Sequence, residues 1–141
     1  MAMTITDGGI ISAETAEDLA GKEGYAAIVN GSELIALADA GEDETDTVVG
    51  VITSISGAFT SSDNVQVATI QVSGTAYVYT GEAVTAGAWL TCDVTGGSAD
   101  WMLAAAGQTP AKFPKAIALQ AAGTTELVQA TLLGSTAAGR G

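Results

Sequence analysis

The chain has no histidine, a single cysteine, two prolines and only four basic residues among its 141. Each scarcity removes a class of chemistry. Without histidine there is no Ser-His-Asp or Cys-His catalysis, and both the commonest general base and the commonest zinc ligand are missing. Cys92 has no second cysteine for an internal disulfide, which agrees with synthesis in a reducing cytoplasm. No cation lies beside it in sequence to activate the thiol, so it reads as a small buried hydrophobe. Lys22, Lys112, Lys115 and Arg140 stand against 16 acidic residues, giving a net charge of −12. Gripping phosphates requires clustered Lys and Arg that displace counterions, so nucleic acid is excluded as a partner. Anionic membrane surfaces are disfavoured for the same reason.

Long apolar runs are also missing. Trp101–Ala106 is among the longest and is far too short to span a bilayer. The N-terminus lacks the basic and apolar regions of a signal peptide. No phosphate-cradling loop or dinucleotide fingerprint occurs, so no cofactor is expected. Aromatics make up only 5 %, too few to suggest a sugar-gripping cleft around paired carboxylates, so no catalytic residue is assigned.

What remains is a folded, strand-rich composition. Apolar residues reach 48 %, dominated by Ala, Val, Leu and Ile, which argues for a thin, finely packed interior. Glycine is plentiful, at 18 residues, but has no collagen-like period, as suits many tight turns. The length fits one domain. Residues 1–20 hold no sustained period and read as an extended N-terminal arm, with Thr15 and Asp18 suggesting one capped helical turn. Such an arm is either a frayed end or a segment ordered on a partner. Met3, Ile5, Ile10 and Ile11 are then its candidate contact residues.

From Tyr25 onward strands alternate with turns. Tyr25–Val29 and Glu33–Leu37 flank Asn30-Gly31, the pair suited to a type I′ hairpin. The acidic run from Asp39 to Asp46 should be a solvated loop; it lacks the spacing that wraps a chain around calcium, so no metal site is assigned. Val48–Ser54, Val65–Val72 and Thr75–Thr80 follow as strands, the second with a phase change near Ala68 that suggests a bulge or burial on both faces. Trp89–Val94 and Ala99–Leu103 form a second hairpin around Gly96-Gly97, and Lys115–Gln120 with Glu126–Leu133 a third. Trp89 and Trp101 are either core residues or a cross-strand pair, the base rate for large apolar side chains, or interface anchors. The expectation is an all-β fold, a small β-barrel or β-sandwich of short antiparallel strands over 21–134, with a flexible tail at 135–141.

The stretch Gln71–Thr91, with Ala83-Val-Thr-Ala-Gly87 between two strands, resembles small capsid decoration (cement) proteins of tailed bacteriophages. Val49-Gly-Val-Ile52 and the closing Ala116–Gly123 and Glu126–Leu133 hairpin are similar to the same family, so the resemblance covers roughly residues 25–134. It implies a virion structural protein without catalytic residues, bound to the major capsid protein on the outer face of an icosahedral shell. It also implies a homotrimer that helps the shell resist the pressure of packaged DNA. The other readings are a β-rich module of a phage tail or cell surface that recognises carbohydrate or protein, and a carboxylate-based hydrolase.

Overall fold

The computed structural model describes the backbone of residues 4–6, 9–38, 50–93, 100–103 and 116–132, with side chains described for 9–38, 50–92 and 116–132. Among these residues there are eleven β-strands and no helix. In chain order they are β1 (Thr4–Thr6), β2 (Ile10–Glu14), β3 (Ala26–Val29), β4 (Ile35–Leu37), β5 (Gly50–Ser56), β6 (Val67–Gln71), β7 (Gly74–Tyr79), β8 (Trp89–Asp93), β9 (Asp100–Leu103), β10 (Ala116–Ala118) and β11 (Leu127–Leu132).

Two antiparallel sheets result. The first runs β1-β2-β6-β5-β3-β4 and the second β7-β11-β10-β8-β9. Ala26-Ala-Ile-Val29 and Gly50-Val-Ile52 are continuous apolar runs, the pattern of strands buried on both faces. In the structure both faces are covered. Ala26, Ile28 and Val51 pack with Val78, Leu90, Val128 and the alanines of the second sheet, while Ala27 and Ile52 turn to the opposite side, among Ala13, Leu19, Ile35, Ala68 and Ile70. β3 and β5 are thus a wall between two apolar clusters. Ala76, Ala116, Ala118 and Ala130 supply the floor of the first, so backbones approach closely and little aromatic volume is needed. Cys92 is buried in that cluster.

The architecture is a small sandwich. A single parallel bridge between Thr15 and Ile35 brings the end of β2 toward the far edge of the first sheet, which curls without closing into a barrel. β1 and β2 lie within the residues read from sequence as an arm, but β2 is no separate arm. It pairs with β6 from Ile10↔Gln71 to Glu14↔Val67. No helical turn follows it; Thr15 and Asp18 bond to Gln66 instead.

The first hairpin forms with a different turn. Asn30 N–H donates to Leu34 O at 2.9 Å, Glu33 N–H donates to Asn30 O at 3.0 Å, and the left-handed residue is Glu33, with φ 64°. This is the three-residue loop rather than the two-residue type I′ turn. In the second sheet β8 and β9 pair as Leu90↔Leu103 and Cys92↔Trp101, and β10 and β11 as Ala116↔Leu132. The Gly96-Gly97 turn expected for the second hairpin, the acidic run 39–46 and the tail 135–141 lie outside the described residues. The irregularity expected near Ala68 falls on the partner strand, where the register slips between Ile52 and Ser54.

Ala83–Gly87 has a specific structural task. Val84 is buried and exchanges both backbone hydrogen bonds with Ala122, at 2.9 and 3.0 Å. Gly87, at φ 85°, then turns the chain into β8 while its N–H donates to Ala118 O. A residue with a Cβ is strained in that conformation.

Candidate functional site

The outward positions of the second sheet follow from strand alternation. On β7 they are Thr75, Tyr77 and Tyr79; on β11, Leu127, Gln129 and Thr131; on β10, Ile117; and on β8, Trp89 and Thr91, the last of them buried. Register brings them together: Thr75 lies beside Thr131, Thr131 beside Ile117 and Ile117 beside Trp89, while Tyr77 lies beside Gln129 and Tyr79 beside Leu127. None of these nine positions carries a charge, in a chain whose net charge is −12, and the ladder reaches acidic residues only at the far end of β8 and β9, where Asp93 pairs with Asp100.

The face is also half exposed. Tyr77, Trp89 and Leu127 are 55 %, 51 % and 52 % accessible, and Leu119 beside them is exposed too. One end is closed by stacking. The rings of Tyr25 and Tyr79 lie 4.8 Å apart at 12°, and the Lys22 ammonium sits 4.8 Å over the Tyr25 ring. Such contacts fix aromatic orientation and contribute about 0.5–1.5 kcal/mol per ring pair.

At the β7 border this face meets a groove of about 310 Å³. Ile52 and Ala76 form its apolar base, and Glu23, Thr53, Gln71 and Tyr77 its rim. Among the described residues no three Cys, Asp or Glu side chains converge on a metal-sized point. Asp18 is held below the ordinary value of 3.8, first by the Ala20 N–H and then by the Gln66 amide. That carboxylate serves the local turn.

The residues singled out from sequence are scattered. Trp89 is neither core nor paired with Trp101, because Trp101 sits opposite Cys92 and Trp89 opposite Ile117. Trp101 lies on β9 with its side chain outside the described residues. Ile11 packs against the second apolar cluster and Ile10 is half-buried, so both serve the sheet. Ile5 lies opposite Ile11 on β1, its side chain outside the described residues, and Met3 lies outside them entirely. Tyr77, Leu119, Leu127 and Ile117 are not legible in the sequence as one surface. Each sits in an ordinary strand pattern, and only the register joins three strands into a patch. No helix among the described residues is long and apolar enough to cross a membrane. Comparison of the chain with protein-family models, curated proteins and solved structures finds no match.

Proposed function

We propose that this chain is a non-enzymatic structural protein that docks through the outer face of its second sheet onto another protein assembly. The assembly is the outer surface of an icosahedral phage capsid, whose major capsid protein it braces. The observation that carries the reading is the uncharged aromatic and aliphatic face around Tyr77, Trp89, Ile117 and Leu127 on a strongly acidic molecule. Exposed apolar patches on soluble proteins mark interaction surfaces, and aromatic residues are enriched at interface centres. The resemblance of residues 71–91 to capsid decoration proteins selects the partner. The acidic remainder keeps the free subunit soluble and away from packaged DNA.

A homotrimer on the shell belongs to the same proposal. The test is co-sedimentation with undecorated heads. The chain is expected to pellet saturably with heads, and the pair Trp89→Glu and Leu127→Glu, which adds charge at two exposed positions, is expected to remain in the supernatant while keeping the native circular dichroism. Failure of the parent chain to bind any head, with binding to an arrayed glycan instead, would favour the carbohydrate-binding module.

A further inference from the structure

Among the described strands β7 is an edge, paired with β11 alone. Thr80 N–H donates to Glu126 O at 2.9 Å, which fixes the alternation of the ladder: Val78 and Ala76 exchange bonds with β11, while Thr75, Tyr77 and Tyr79 direct their backbone groups outward. Two of the outward groups are already met. Tyr79 N–H donates to Gly24 O at 2.8 Å, and Thr75 O accepts from Gln71 Nε2 at 2.9 Å. Between them the N–H and C=O of Tyr77 have no partner among the described residues, and the 310 Å³ groove opens at that point.

Gly24 shows that this edge already takes backbone. Its carbonyl occupies the Tyr79 position, its N–H donates to Ile52 O at 2.8 Å, and a Cβ there would collide with Leu127. The chain therefore adds a one-residue strand mimic to β7 and stops one step short of Tyr77. Among the described residues that line the groove Glu23 is the charged one, and Lys22 is turned onto the Tyr25 ring. Two copies at −12 each repel, so a second copy is a poor occupant and a basic segment a good one.

We infer that the groove receives a short extended segment of the partner protein, which pairs its backbone with Tyr77 and places a Lys or Arg beside Glu23. This rests on the docking reading and adds strand addition to face contact. The mode gives affinity through main-chain hydrogen bonds, with the base of Ile52 and Ala76 selecting a small apolar side chain.

The test is amide NMR of the full chain with two capped peptides, Lys-Val-Thr-Val-Lys and Glu-Val-Thr-Val-Glu. In the free chain Tyr77 N–H should exchange rapidly while Val78 N–H is protected. The basic peptide should shift the Tyr77 resonance and slow its exchange, and the acidic one should bind more weakly. Tyr77→Pro removes the N–H at an edge position where proline is tolerated, and should weaken the basic peptide by at least about tenfold. Should that variant not fold, the same peptide N-methylated at its central threonine should show the loss.

An unmoved Tyr77 resonance at millimolar peptide, equal binding by the acidic peptide, equal binding after both backbone changes, or protection of Tyr77 that grows with protein concentration alone would each overturn the inference. Peptide binding without head binding would instead overturn only the identity of the assembly.

Discussion

Gln66 is 1 % exposed, yet each of its polar groups is satisfied. Its Oε1 accepts from Thr15 Oγ1 and from Leu19 N–H, both at 2.9 Å, and its Nε2 donates to Asp18 at 3.1 Å. One side chain therefore ties the segment after β2 to the start of β6. Gln66→Ala orphans a buried hydroxyl and a buried N–H, and should cost about 2–4 kcal/mol in urea unfolding. Asp18 belongs to the same network. Its folded carboxyl titrates below the unfolded value of 3.8, so its contribution is present above that value and is lost as pH falls through the lower folded one. Asp18→Asn should accordingly flatten the loss of stability below about pH 4 relative to the parent chain. An identical acid limb would show that the carboxylate has no such role. This network was not legible in the sequence: its bonds cross 47–51 residues, and a glutamine next to a strand looks like surface. Trp89 was similarly opaque, because alternation says which residues share a face but not which face is covered.

At the scale of elements the sequence was more informative. The alternation of Tyr77 and Tyr79 against Val78, the burial of Leu90 and Cys92, and the three hairpins are properties of contiguous residues, and the structure shows them. The turn of the first hairpin differed for a local reason. The Asn30 side chain accepts from Ser32 N–H at 2.9 Å and Leu34 N–H at 3.1 Å, which favours a longer loop and passes the left-handed conformation to Glu33. Asn30→Ala should then cost about 1 kcal/mol, and Glu33→Gly should stabilise by up to about 1 kcal/mol by relieving the left-handed residue. Thermal unfolding of the two variants should move in opposite directions. β2 escaped notice because Ile10-Ile-Ser-Ala-Glu14 has no clean period. Its strand state comes from β6, a neighbour more than fifty residues away.

For the whole molecule, charge and surface pattern act together. Copies at −12 each repel one another, so the proposed association has to proceed through uncharged ground and improve as salt shortens the Debye length to about 10 Å near 0.1 M. Sedimentation equilibrium should show the proposed trimer tightening as salt is raised. Weakening would place charge pairs at the centre of the contact. All-β character and the sandwich alternative were legible from composition and turn spacing alone; the division into two clusters on either side of β3 and β5 was visible only as their unbroken apolar runs. Hydroxyl-radical footprinting of the free chain and of the chain bound to heads reads the docking face directly. Tyr77, Trp89 and Leu127 are expected to lose most of their reactivity on the particle while Val65, exposed just ahead of β6 in the first sheet, keeps it. Undiminished modification of those three residues in a fully decorated particle would contradict docking through this face.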